Sequence, residues 1–304
     1  MNQGWTYREQ IDRRSAGLTV LAYYAQRYTH STSDEWQERI AAGQILLDET
    51  PTQPETPLRQ GQWLTYHRPP WTEPKVPLTF EVLYEDAELV VVAKPSGLPV
   101  LPGGGFLEHT LLWQLQQRYP QNSPIPIHRL GRGTSGLMLL ARSPQARAAL
   151  SRQLRDRHIH KLYRALVSGS VVPDQFTIAQ PIGKRPYPVL GYVYAATADG
   201  LPAHSECRVL QRQASTTLVE VTILTGRPHQ IRIHMASVGH PLVGDPLYDV
   251  GGVPRSHLTD ASTKFPVPGD CGYFLHAIQL SFDHPVSGQR MTLTCPPPAE
   301  LQTV

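Results

Sequence analysis

The sequence predicts an α+β fold in two parts, a small αβ module followed by a larger domain built mainly of strands. Three observations carry this. Near the N-terminus, Leu18, Leu21, Ala22 and Ala25 recur at helical spacing with tyrosines between them. A connector rich in proline (Pro69, Pro70, Pro74, Pro77) then interrupts the chain. From Leu78 onward, short apolar or alternating runs bounded by glycine and proline outnumber helical segments. The expected boundaries are a module over residues 15–68, a linker over 69–77 and a second domain over 78–300.

Taken in order, residues 18–28 read as a first helix. Thr32-Ser33-Asp34-Glu35 reads as a capping box that opens a second, with Trp36 and Ile40 on one face and a stop at Gly43. Strands are expected at 44–47 and 61–67. In the second domain, Leu89 to Lys94 is a β-branched run ended by Pro95 and followed by the turn Gly103-Gly104-Gly105. Thr110 caps a helix through Arg118 that Pro120 terminates, and Leu137 to Ala141 is short enough to be a buried strand. Ser143-Pro144 starts a helix with Leu150 and Leu154 on one side. Residues 159–167 form a strand on which Lys161 and Tyr163 share a face, because strand side chains alternate. Residues 217–224 form another, with Val219, Val221 and Ile223 pointing together. It leads into a helix with Pro228 at its first position and Gly239 just past its end. A last strand is expected over 273–282.

Composition narrows the function classes. The chain has 304 residues, enough to bury a sizeable core, and none of its apolar runs approaches membrane-spanning length. Met1 to Trp5 has no apolar segment of the secretory kind. Cys207, Cys271 and Cys295 are too few and too scattered for a disulfide framework or a zinc cluster. These features fit a soluble, cytoplasmic protein, monomeric by default. The net charge of +3 says little, but the stretch from Arg142 to Arg164 holds seven basic residues against Asp156 alone. Such a stripe is the footprint of a polyanion partner, most often nucleic acid, or else a solvated helix face.

The densest stretch for chemistry is His128-Arg129-Leu130-Gly131-Arg132-Gly133-Thr134-Ser135-Gly136. Glycines let backbone approach a ligand closely, and arginines offer forked donors to phosphate or carboxylate. Residues 131–136 also spell the dinucleotide fingerprint. That motif needs a strand before it and a helix after it, and here the order is reversed. Ser135 lacks the elbow motif of a nucleophilic serine, so the Thr134 and Ser135 hydroxyls fit better as partners of the turn's backbone. His229, His234 and His240 lack metal-ligand spacing and a nearby cysteine. Arg227 falls at a strand-to-helix junction, a common place for a site residue.

The order of these motifs resembles the RluA family of RNA pseudouridine synthases. The residues that carry the resemblance are Lys94-Pro95-x-Gly97-Leu98, the His128 to Gly136 loop, and Lys161-x-Tyr163-x-Ala165. They continue with Thr225-Gly226-Arg227-x-His229-Gln230-Ile231-Arg232-x-His234, Gly244-Asp245-x-x-Tyr248 and Leu275-His276-Ala277. The match runs from about Leu78 to Pro298. The first module resembles, more weakly, the S4-like RNA-binding module, although six acids against two bases between Asp34 and Gly61 argue against a basic RNA face there.

The resemblance implies a mixed, mainly antiparallel sheet with flanking helices and an RNA cleft along one side. It implies isomerisation of a flipped-out uridine, in rRNA or tRNA, from an N1- to a C5-glycosidic bond without a cofactor or metal. Carried over by position, Tyr163 stacks on the uracil and takes the C5 proton, Arg227 pairs with the catalytic carboxylate, and Arg129 holds the extruded nucleotide. Arg132, Thr134, Ser135, Lys161, His229, Gln230 and Arg232 complete the expected RNA contacts.

One position departs from the pattern: where the family carries its catalytic aspartate, this chain has Gly131. Loss of a catalytic nucleophile typically costs on the order of 10⁴ or more in rate. Three readings follow. The protein is a pseudouridine synthase that recruits a carboxylate from elsewhere, with Asp86, Asp156 and Asp245 suitable by type. Or it is an inactive RNA-binding relative of the same fold, or an enzyme acting on a related nucleoside.

Overall fold

The computed structural model describes residues 1–188, 190–255 and 265–303. They form two units, the first over residues 1–73 and the second from Pro74 onward. In the first unit β1 (Trp5–Gln10), α1 (Val20–Arg27), α2 (Ser33–Ala41), β2 (Ile45–Leu47), β3 (Thr50–Pro51) and β4 (Trp63–Arg68) follow in order. The sheet runs β1-β4-β2-β3. Val20, Tyr23 and Tyr24 of α1 and Trp36 and Ile40 of α2 pack with Ile45, Leu64 and Tyr66 in a small core. The sequence pattern missed β1, whose residues are mostly exposed and whose alternation is confined to Trp5 and Tyr7.

The capping box opens α2 as its spacing requires: the Thr32 hydroxyl accepts from the Glu35 backbone N–H at 3.2 Å, and a Glu35 carboxylate oxygen accepts from the Thr32 N–H at 2.7 Å. Thr32→Ala removes the first of these bonds. It is expected to cost about 0.5–2 kcal/mol, read as a lower urea midpoint for the N-terminal unit.

The second unit begins with β5 (Glu81–Glu85), β6 (Leu89–Lys94), α3 (Leu111–Arg118), β7 (Ile125–Pro126), β8 (Ser135–Ala141), α4 (Pro144–Arg155) and β9 (His160–Ser168). It continues with β10 (Gln175–Ile178), β11 (Ile182–Tyr187), β12 (Gly191–Ala196), β13 (Ser205–Arg212), β14 (Thr216–Ile223), α5 (Gln230–Ser237), β15 (Tyr248–Asp249), β16 (Val253–Pro254), β17 (Leu275–Asp283) and β18 (Arg290–Thr294). The main sheet runs β10-β13-β14-β9-β17-β8-β6-β5, with β18 added on β17 and β7 on β8. Among the described residues, the one parallel pairing is β17 with β8; β17 meets β9 antiparallel. The last long strand thus lies between two groups of strands formed earlier in the chain.

The run Leu137 to Ala141 lacks alternation because both faces of its strand are covered. Val90, Val92, Met138 and Leu140 pack on one side with Leu111 and Leu115 of α3 and Ile231 and Met235 of α5. Leu89, Val91, Leu137 and Leu139 pack on the other with Ala146 and Leu150 of α4. Helix α5 differs from expectation at its start. Pro228 precedes the helix, and His229 is the N-cap, in left-handed conformation at φ 56° with no side-chain cap. Gly239 follows the helix at φ +89°, as its position suggested.

Candidate functional site

The 128–136 loop is held from below by the turn after β6. Lys94, fully buried, donates its ammonium to the carbonyls of Pro95 and Leu98, each at 2.8 Å, and of Arg132 at 3.2 Å. The Gly97 N–H donates to the same Arg132 carbonyl at 2.8 Å, and the Ser96 hydroxyl donates to the Gly133 carbonyl at 2.7 Å. Burial pulls the Lys94 amine down to about 7, partly offset by Cys271. At the loop's end, Gly136 sits at φ +105°, and a Cβ there would stand 2.3 Å from the Ala277 carbonyl oxygen. Only glycine permits β8 to approach β17 so closely.

The loop's two glycines at 131 and 133 lie against the ring of Tyr273, which precedes β17. A Cβ on Gly131 would meet the Tyr273 hydroxyl at 3.0 Å, and one on Gly133 would meet the ring at 2.9 Å. The Tyr273 hydroxyl is also 3.4 Å from the Thr134 hydroxyl. Behind Tyr273, the Arg232 guanidinium lies 4.2 Å from the ring centroid. It makes a fork with Asp245, Nε to Oδ2 and Nη2 to Oδ1 both at 2.7 Å, while Nη1 donates to the Pro268 carbonyl at 3.0 Å. Both members of this pair are buried.

A turn leading into α5 supplies the facing wall. The Gln230 side chain organises it: its oxygen accepts from the Thr225 hydroxyl at 2.7 Å and the Arg227 N–H at 3.1 Å, and its nitrogen donates to the His204 carbonyl and the Ser205 hydroxyl. Arg227 donates Nε to the Pro202 carbonyl at 3.0 Å. His229 Nδ1 lies 2.8 Å from the Tyr248 hydroxyl, which itself donates to the Tyr194 carbonyl. The imidazole is therefore the donor, with its proton on Nδ1. Burial, reinforced by Arg232, pushes His229 down to about 3, so it is neutral at physiological pH.

Between these walls is a cleft of about 700 Å³, in the size range of small-molecule sites. Lys161 and Tyr163 reach it from β9, and Arg155 and Arg157 from the end of α4 and the turn after it. Arg129, Gly131, Thr134, Arg227, His229, Gln230, Arg232 and Tyr273 complete most of its lining, and none of the lining residues is an aspartate or glutamate. Arg232 has its charge matched by Asp245, whereas the Arg129 side chain is exposed and makes no hydrogen bond or ion pair among the described residues. The excess positive charge thus faces the open cleft.

The structure brings together Tyr163, Arg227, Gly131, Arg129, Thr134, Lys161, His229, Gln230 and Arg232. It leaves two expected RNA contacts outside the lining. The Ser135 hydroxyl pairs with His276 Nδ1 at 2.8 Å, and Arg132 lies beside the Phe106 ring and 4.0 Å from Asp270. Gln230 and Arg232 line the cleft, but their polar atoms are committed to holding the protein together. The carboxylates suggested as substitutes also lie elsewhere. Asp86 accepts from Tyr84, the Glu88 and Leu89 N–H groups and His284; Asp156 is the C-cap of α4; Asp245 serves Arg232. None lines the cleft.

The basic stripe also divides. Arg142 pairs with Glu85 and Arg164 with Glu220, so these two are tied into the fold, while Arg155, Arg157 and Lys161 face the cleft. Tyr273 was missed by sequence reasoning: it lies 139 positions from the threonine it touches, and nothing local marks it. Arg155 and Arg157 were visible only as members of the stripe.

Residues 88–237 match the RNA pseudouridylate synthase family. An uncharacterized RNA pseudouridine synthase of Synechocystis sp. is 52% identical over 284 residues, which cover 93% of this chain and 96% of that one. Ribosomal large subunit pseudouridine synthase D of Neisseria meningitidis serogroup B is 34% identical, over 93% of this chain and 75% of that one. Among solved structures, human RNA pseudouridylate synthase domain containing 1 superimposes with a TM-score of 0.57 at 25% identity, covering 76% of this chain and 89% of that one.

Proposed function

Because the chain belongs to the RNA pseudouridine synthase family, we propose that it isomerises uridine in RNA to pseudouridine, with the target nucleotide extruded into the cationic cleft. The carrying observation is that Tyr163, Arg129 and Arg227 line one cleft whose charged groups are otherwise basic. Phosphates bind such a surface by displacing counterions. Chemistry at C5 and at the sugar requires the nucleotide to leave the stack, and a buried aromatic face receives a flipped base. Tyr163 stacks on the uracil. Arg129 and the α4-end arginines hold the flanking phosphates. As the C1′–N1 bond breaks with its electron pair passing to N1, negative charge develops on the uracil and positive charge on C1′ until C5 bonds there, and the fixed cations that line the cleft stabilise the charge on the base.

The test is tritium release from 5-tritiated uridine in total RNA by the purified protein. Release by the parent, with a loss of about 10²-fold or more in Tyr163→Ala, is the expected result. The acid-free lining favours a second reading, an RNA-binding relative without turnover. That reading is the outcome if the parent is silent and Gly131→Asp alone is active. In Gly131→Asp the Tyr273 hydroxyl, 3.0 Å from the new Cβ, has to yield.

A further inference from the structure

Resting on the reading that RNA enters the cationic cleft, we propose that the outer face of α4 is the track along which one strand of that RNA leaves it, with Arg147 and Arg152 as phosphate contacts beyond the cleft itself. The substrate class this names is a uridine in a strand that continues for several nucleotides past the target on one side.

Helix geometry lays out the track. Ala146 and Leu150 fix the inner face of α4 in the core, which holds the outer face rigidly toward solvent. Arg147, Ser151 and Arg155 recur every four residues and so form one row on that outer face. Leu154 and Arg155, at the far end of the helix, line the cleft, and Arg157 lines it from the turn beyond. Arg147 lies about 12 Å back along the helix axis from Arg155, a length spanned by roughly three or four nucleotides at about 3.4 Å per phosphate. Arg152 stands beside the row. Arg147, Arg152, Arg155 and Arg157 are all exposed, and none of their side chains makes a hydrogen bond or ion pair among the described residues. Helix α4 contains no acid, and Asp156 at its C-cap is the one acid nearby in sequence.

Two placements set this row apart from a merely solvated helix face. Arg147 closes the first turn of α4, where the helix dipole is positive and a cation adds no stability. Arg157 follows the C-cap in left-handed conformation at φ 62°. The His158 N–H donates to the Gln153 carbonyl at 2.8 Å and so closes the helix in the motif that usually carries glycine at the left-handed position. An arginine there is strained, and strain kept at a residue whose side chain lines a cleft is a mark of function. Both arginines thus occupy positions that helix stability alone disfavours, and a phosphate strand accounts for both, since the guanidinium fork matches phosphate oxygens. Because the row runs on into the cleft that receives the nucleotide, its occupant is the same strand rather than a separate acidic protein.

The experiment measures the affinity of the full chain for fluorescent oligouridylates of about three and about ten nucleotides, the shorter filling the cleft alone and the longer reaching along the track, over a salt series. The proteins are the parent, the double variant Arg147→Gln with Arg152→Gln, and Arg157→Gly, with urea midpoints taken in parallel. Both arginines of the double variant are exposed, and glutamine is a good helix former, so α4 is retained. The expected result is that the parent binds the longer probe more tightly than the shorter. The double variant loses about fivefold or more on the longer probe and stays within about twofold of the parent on the shorter. Its slope of log affinity against log salt on the longer probe is shallower by about 1.4, two phosphates at about 0.7 each on a single strand. Arg157→Gly binds the longer probe more weakly while its urea midpoint holds or rises, a combination that a structural role for Arg157 does not give. A double variant with parental affinity and slope, which leaves the face to solvent or to an acidic protein, overturns the track and leaves the isomerase reading intact. A parent that gains nothing from the longer probe overturns it too. Neither readout depends on turnover, so binding along the row without tritium release from any RNA overturns the isomerase reading alone.

Discussion

Asp245→Ala is expected to lower the stability of the second unit by about 3–5 kcal/mol, because it strands the buried Arg232 charge. The two carboxylate oxygens accept the Arg232 fork at 2.7 Å, and Oδ1 also accepts from the Leu247 and Tyr248 N–H groups. Removing the carboxylate therefore leaves a guanidinium and two backbone donors without partners in the interior. The guanidinium has no alternative in proton loss, since arginine holds its proton throughout the accessible pH range. The measurement is the urea midpoint of the second unit's transition. Pairing the change with Arg232→Met should recover much of the loss, since an apolar replacement for a buried pair is often neutral or better. Activity is expected to fall further than stability, because Arg232 supports the ring of Tyr273 beside the 131–134 loop.

Gly136→Ala is expected to cost roughly 2–6 kcal/mol, combining strain in a backbone conformation at φ +105° with overpacking. The obstructing atoms are the Ala277 carbonyl oxygen at 2.3 Å and its nitrogen at 2.7 Å. Both are backbone atoms in the parallel pairing of β8 with β17, so neither can swing aside. Gly131→Ala provides the contrast: its φ is unstrained, and its nearest obstruction is a phenolic hydroxyl. Comparison of soluble yield and urea midpoint should show little change for Gly131→Ala and a collapse for Gly136→Ala.

What could be read from sequence was governed by range. The capping box at Thr32, the helix caps at Thr110 and Ser143 and the alternation on β9 are decided within a few residues, and the structure places each where its pattern indicated. The convergence of the loop, Lys161, Tyr163 and Arg227 followed from motif order rather than from any local rule. Finer roles were out of reach. Gln230 and Arg232 have the chemistry of ligand contacts, yet their donors are consumed by Ser205 and Asp245, partners that only tertiary packing reveals. Ser135 was drawn away by His276 in the same manner. The packing of Tyr273 on two glycines more than a hundred positions away leaves no trace in composition or spacing.

The place of β17 has a consequence for biosynthesis. Its two neighbours in the sheet belong to earlier groups: β8 carries the 128–136 loop, and β9 carries Lys161 and Tyr163. In a nascent chain emerging from the ribosome the strands of each group can pair among themselves, but no strand pairing links the two groups until residues 275–283 insert between them. Long-range pairing of this kind is slow. The protein should therefore acquire its grip on RNA only after most of it has been translated, and a chain stalled before Leu275 should bind no target.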